Sequence, residues 1–171
     1  DNVATQRAIV TVSPRNGIDE PMHIHAAFAN KPSERTIMWT SASKDTPRLR
    51  LWRYNNPQYQ EYNTTQREKY EPMNFCGPPA NTTTQIYYRD PGYQNKVVLT
   101  NLLPGLYTYS ISNNQIDWTD KQFLLIDTVR QQISKLVAYG DLGIDAPTGA
   151  QETIGRILQL GLVDYVLHFG D

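Results

Sequence analysis

Between residues 19 and 127 the apolar positions recur at every second residue in short runs. Met22 to Phe28 alternates, with Met22, Ile24, Ala26 and Phe28 on one face. Glu34 to Thr40 carries Ile37 and Trp39 on a common face, and Trp39 suits a large core aromatic. Arg48 to Arg53 turns Leu49 and Leu51 inward and its arginines outward. Gln85 to Arg89, Lys96 to Leu99, Leu106 to Ile111 and Lys121 to Ile126 complete the predicted strands. Turn formers separate them: Asn30-Lys31-Pro32, Asp90-Pro91-Gly92 and Pro104-Gly105. Short strands in this number, without helical periodicity, predict a β-sandwich. Asn55 to Thr84 shows no sustained period and reads as a polar surface insertion.

After Asp127 the pattern changes. Leu136-Val137-Ala138-Tyr139 is a continuous apolar run, as expected of a strand buried on both faces. Gly149 to Leu160 has helical spacing, with Ile154, Ile157, Leu158 and Leu162 on one side. Thr148 and Gln151 suggest a capping box, and Gly161 a helix stop. Tyr165-Val166-Leu167 returns to strand. The expected layout is an N-terminal extension over 1–18, a sandwich domain over 19–130, and the start of an α/β domain over 131–171.

Composition narrows the function classes. Hydrophobic residues make up 39% of the 171, and 16 basic against 17 acidic residues leave a net charge of −1. That balance fits a folded domain and offers no electrostatic footprint for nucleic acid. No apolar run approaches the ~18 residues of a membrane span. Cys76 is the single cysteine and has no intrachain partner. Asn63-Thr64-Thr65 and Asn81-Thr82-Thr83 are candidate N-glycosylation sequons at Asn63 and Asn81. With them, a secreted or lysosome/vacuole-like location is expected. The chain opens on Asp1 without a starting Met or signal peptide, which fits processing or trimming.

The chemistry gathers at two strand ends. Tyr139-Gly140-Asp141-Leu142-Gly143 and Val166-Leu167-His168-Phe169-Gly170-Asp171 each run from apolar residues into Gly-Asp. About thirty residues separate the two aspartates, the length of one strand–helix–strand unit. A right-handed crossover would bring both strands' carboxyl ends to one edge of a sheet, where α/β folds bind ligands. Converging carboxylates repel, so such a spot suits a cation. Gly143 permits a tight turn beside Asp141. His168 is expected to be a packed, hydrogen-bonded core histidine supporting the Asp171 loop. His23-Ile24-His25 lacks a third ligand nearby and reads as structural rather than zinc-binding.

Asp141-Leu142-Gly143 followed by Gly170-Asp171 resembles the first two metal-binding blocks, D-X-G and G-D-X-X-Y, of calcineurin-like metallophosphoesterases. The tyrosine-bearing form of the second block marks the purple acid phosphatases. Val166 to Asp171 is similar to that family's second strand, and the sandwich ahead of it resembles the family's N-terminal domain. Leu102-Leu103-Pro104-Gly105-Leu106-Tyr107 also resembles the turn entering a late strand of fibronectin type III modules, where a tyrosine hydroxyl anchors the corner. Tyr107 and Tyr109 are both candidates for that tyrosine.

The resemblance implies a mainly β chain: a fibronectin type III-like sandwich, then the first β-α-β unit of a metallophosphoesterase domain. It implies a dimetal acid phosphatase that hydrolyses phosphate monoesters with metal-activated water. Asp141 would be a terminal ligand of Fe(III). Asp171 would bridge the iron to a second metal, Zn, Mn or Fe(II). Gly143, His168 and Gly170 would support the metal loops. The implied partners are the phosphate monoester, the remainder of the catalytic domain and, optionally, a second copy in a homo-oligomer. The tyrosine expected three positions beyond Asp171 and the later asparagine and histidine blocks fall outside these residues. The 171 residues alone are therefore expected to be inactive. Two competitors are a calcineurin-like phosphoesterase acting on diesters or nucleotides, and a sandwich adhesion module carrying a degenerate phosphatase remnant.

Overall fold

In the computed structural model of the chain, the described residues are 17–74, 77–78, 81–82, 90–127, 136–140, 147–159, 163 and 165–169. The chain forms two compact units, Asp1–Thr128 and Val129–Asp171. Among the described residues no helix is long and apolar enough to cross a membrane.

The first unit is mainly β, with two antiparallel sheets face to face. Its strands are β1 (Met22–Phe28), β2 (Arg35–Ser41), β3 (Arg48–Arg53), β4 (Tyr59–Asn63), β5 (Gln66–Lys69), β6 (Tyr93–Leu99), β7 (Gly105–Ser112) and β8 (Gln122–Ile126). One sheet has the order β1-β2-β6-β5 and the other β4-β3-β7-β8. Alternation does the sorting. Ile37, Trp39, Val97 and Leu99 of the first sheet meet Leu49, Leu51, Tyr109 and Ile111 of the second in one buried cluster. Each fully buried aliphatic side chain there contributes roughly 1.5–3 kcal/mol. Arg48 and Arg50, alternating with the inward leucines, stand on the outer face and both grip Glu61 across the β3–β4 pair.

Polar anchors fix the ends of this core. Trp39 Nε1 donates to Asn113 Oδ1 at 2.9 Å, and Asn113 Nδ2 donates to the Asp19 carbonyl at 2.9 Å. The short 3-10 turn Gly17–Asp19 is thereby tied to the end of β7. Tyr107 is the corner tyrosine: its hydroxyl donates to the Leu103 carbonyl at 3.1 Å and accepts from the Leu103 N–H at 3.2 Å. Tyr109 points into the core instead, and burial pushes its phenol pKa up. Gly92, at φ 80, passes so close to β2 that a Cβ there would lie 2.3 Å from the Ser41 carbonyl oxygen.

Several expectations are corrected. The predicted insertion at Asn55 to Thr84 contains β4 and β5, joined by Thr64 and Thr65 as the chain passes from one sheet to the other. Both are edge strands, and YQEYN and QREK carry too little apolar alternation to be read as strands. The face proposed for β1 is also broken. Register shifts between Met22 and His25, His23 adopts φ 53, and Met22, Ala26 and Phe28 are exposed while Ile24 and Ala27 are half-buried. A bulge inserts one residue and resets which side chains face the core. The strand predicted at Gln85 to Arg89 and Cys76 lie outside the described residues.

The second unit holds β9 (Leu136–Tyr139), α1 (Pro147–Gln159) and β10 (Tyr165–His168). The two strands pair in parallel, Leu136 opposite Tyr165 through Tyr139 opposite His168. The helix begins at Pro147, so Thr148 lies inside its first turn and is not the cap. Proline suits that first position because its missing N–H has no helical partner to lose. Leu136 and Ala138 are exposed while Val137 and Tyr139 are half-buried, so β9 is not covered on both faces. Leu158, Gly161 and Leu162 lie where no side-chain description applies.

Candidate metal centre

The geometry of the candidate centre begins with the parallel pairing. Tyr139 and His168 occupy facing positions at the carboxyl ends of β9 and β10. The Phe169 N–H donates to the Tyr139 carbonyl at 2.9 Å, extending the pairing one step past both strands. The Tyr139 and His168 rings lie 5.0 Å apart, tilted by 37°. Both strands therefore end at one edge, a residue or two before the Gly-Asp pairs. Asp141, Gly143, Gly170 and Asp171 themselves lie outside the described residues.

His168 differs from its expected role. It is exposed and leans on the Tyr139 ring rather than packing as a core histidine. Its position as the last residue of β10, on a pair of strands open to solvent, accounts for this.

Elsewhere the candidates scatter. His23 Nδ1 pairs with Thr40 Oγ1 at 2.9 Å, and His25 Nδ1 donates to the His23 carbonyl at 2.9 Å. Both rings are engaged in holding the bulge of β1. Among the described residues no group of three or more His, Cys, Asp or Glu could hold a metal. Asn63 is exposed at the end of β4, and Thr65 of its sequon donates from Oγ1 to the Lys96 carbonyl at 3.0 Å. Asn81 is half-buried, and its amide oxygen is buried without a hydrogen-bond partner.

Residues 21–123 match the family model described as "Purple acid Phosphatase, N-terminal domain". Among solved structures, a purple acid phosphatase isolated from seeds of yellow lupin (Lupinus luteus) aligns with a TM-score of 0.71 and 25% identity. The alignment covers 86% of this chain and 29% of the lupin chain, so the chain spans under a third of that enzyme's length. A bromine derivative of BhCBM56 (14% identity, 63% of this chain and 88% of that one, TM-score 0.34) is too distant to guide the reading. So is the multi-modular chitinase ChiW of a Paenibacillus species (9% identity, 81% and 10%, TM-score 0.35). No curated protein matches the chain. The matched model spans both sandwich sheets except for Leu124 to Ile126 of β8, and the chain belongs to the purple acid phosphatase family as an N-terminal portion.

Proposed function

We propose that the chain is the N-terminal sandwich and the opening β-α-β unit of a dimetal acid phosphatase acting on phosphate monoesters. The observation that carries this reading is the parallel β9–β10 pair, whose two strand ends share one edge just ahead of Asp141 and Asp171. Family membership supplies the reaction class. Exposed Leu136, Val166, Leu167 and Phe169 add support, because the two strands and one helix among the described residues of this unit are too few layers to bury their own apolar surface. The remainder of a catalytic domain would cover them.

The donor chemistry fits the metals. Asp141 would be a terminal ligand of Fe(III), and Asp171 would bridge to Zn, Mn or Fe(II), since hard carboxylate oxygens suit these ions. Bound there, such a pair supplies Lewis-acid polarisation of the phosphoryl oxygen and a water of lowered pKa. Gly143 and Gly170 would let the backbone turn beneath the carboxylates. His168 would support the Asp171 loop from the strand end, through its contact with Tyr139. Two carboxylates are fewer ligands than two metals require, so residues 1–171 alone should turn over no substrate. Sequons at Asn63 and Asn81 favour a secretory route, and exposed Asn63 is the better placed of the two to carry a glycan.

The test is made on the parent protein. Asp171→Asn should lower p-nitrophenyl phosphate turnover by at least about a hundredfold, more than the loss seen for groups that only support a ligand. It should also shift or abolish the visible iron–tyrosinate absorbance. Wild-type turnover and an unchanged spectrum in Asp171→Asn would overturn the assignment. A preference for bis-p-nitrophenyl phosphate over the monoester would favour the diesterase competitor.

A further inference from the structure

The sandwich holds a polar cleft of about 310 Å³ between the β3–β4 turn and the β6–β7 connection. Its floor is the end of the core, Leu51, Leu102 and Tyr107. Its walls carry Arg53, Asn56, Gln58, Gln60 and Asn101, with Tyr59 at one side, its ring turned to the outer sheet face against Trp52 and Arg50. Both walls are pinned through their backbones. Tyr54 N donates to the Leu106 carbonyl and Asn56 N to the Arg53 carbonyl, each at 2.9 Å, while Asn56 Oδ1 accepts from Gln58 N at 2.9 Å. Opposite, Leu102 N donates to the Ser33 carbonyl at 3.0 Å, and the Tyr107 hydroxyl clasps Leu103. Asn55 and Asn101 sit at φ 62 and 56, the left-handed turns that set the two rims.

The charge pattern narrows the ligand. Arg53 is the single charged residue of the lining. Its Nη2 donates to the Pro104 carbonyl at 3.3 Å, and its guanidinium passes over bare Gly105. No carboxylate pairs with it among the described residues. A phosphate monoester carries about −1.5 to −2 charge and would call for more than one cation, whereas one guanidinium matches one carboxylate in a bidentate pair. The side-chain amide N–H groups of Asn56, Gln58, Gln60 and Asn101 are donors of the kind that sugar hydroxyl oxygens accept, and the Asn56 and Gln60 amide oxygens are held by Gln58 N and the Tyr62 hydroxyl. The volume lies at the small end of the roughly 300–1,000 Å³ range of ligand sites, room for about one ring.

We propose that this cleft binds a single pyranose residue bearing one carboxylate, with Arg53 as its counter-charge and the wall amides on its hydroxyls. The site lies wholly in the sandwich and is independent of the phosphatase reading. Titrating the isotope-labelled protein with D-glucuronate should shift the side-chain amide signals of Asn56, Gln58, Gln60 and Asn101 saturably. D-glucose should bind about tenfold more weakly, the worth of one charge-assisted hydrogen bond. Arg53→Gln should bring glucuronate down to the level of glucose, and Arg53→Lys should retain part of the preference, with both variants unfolding at the wild-type urea concentration. No saturable shift with glucuronate overturns the proposal. So does equal binding of glucose, or acetate reproducing the glucuronate shifts at the same concentration.

Discussion

Asn113 offers the sharpest test of what holds the sandwich together. It is fully buried, Trp39 is 1% exposed, and the amide serves both the indole N–H and the Asp19 carbonyl. In Asn113→Ala the indole N–H cannot reach water, and a buried orphan donor costs about 1–3 kcal/mol. The lost bond to half-buried Asp19 adds about 0.5–1 kcal/mol, since that carbonyl can be partly rehydrated. The space left by the amide brings the expected loss to about 3 kcal/mol. Trp39, Trp52 and Trp118, the three tryptophans of the chain, all lie in the sandwich unit, so tryptophan fluorescence in urea follows that unit alone. The midpoint should fall with little change in slope. In a Trp39→Phe background there is no indole donor to strand, and the same substitution should cost about 1 kcal/mol less or better. A loss under about 0.5 kcal/mol, or equal losses in both backgrounds, refutes the argument.

Three further outcomes follow from named contacts. Gly92→Ala forces a Cβ to 2.3 Å from the Ser41 carbonyl at a left-handed φ, and should destabilise the sandwich by about 2 kcal/mol or more in the same urea assay. Tyr107→Phe removes both hydrogen bonds to Leu103 and should cost about 1–2 kcal/mol, whereas Tyr109→Phe, with no corner to hold, should cost less. Hydrogen bonds from Arg48, then Arg50, hold the Glu61 carboxyl below its ordinary pKa. Its stabilisation is fully present above the unfolded Glu range near about 4.3 and is lost as pH falls through the depressed folded value. Midpoints measured down from about pH 5 should therefore fall less steeply in Glu61→Gln than in wild type.

The inner strands were legible because burial writes itself into alternation. Leu49 and Leu51, Ile37 and Trp39 face the core as their spacing predicts, since a central strand must present one apolar face. Edge strands carry no such obligation. Among the described residues β4 and β5 exchange backbone hydrogen bonds on one side only, and their charged, glutamine-rich sequences resemble loop. The β1 bulge escaped for a related reason. Period-two reading assumes an unbroken register, and one extra residue between Met22 and His25 moves the side chains beyond it to the opposite face, so Ala27 rather than Ala26 turns inward. The corner was visible as a turn, yet choosing between Tyr107 and Tyr109 required knowing which one faces back toward Leu103.

The same physics separates the two sites. Asp141 and Asp171 stand out in the sequence because each follows an apolar run and a glycine, and that apolar run is the marker. The cleft at Arg53 has no marker of that kind. Its amides come from the β3–β4 turn and the start of edge strand β4 on one side and from the distant β6–β7 connection on the other, stretches that meet only when the two sheets close. Nothing in the spacing of Arg53 and Asn101 relates them. Candidate ligands that follow apolar runs can therefore be nominated from a chain, while a binding surface assembled from edges and loops becomes readable only once the register of both sheets is known. For this chain the consequence is specific. Loosening the β6–β7 corner with Tyr107→Phe should weaken glucuronate binding in the cleft, because that hydroxyl holds one wall. In the parent protein it should leave p-nitrophenyl phosphate turnover unchanged, because Asp141 and Asp171 belong to the other unit. Parallel loss of both would mean that the two sites are coupled, and the separation argued from their construction would fail.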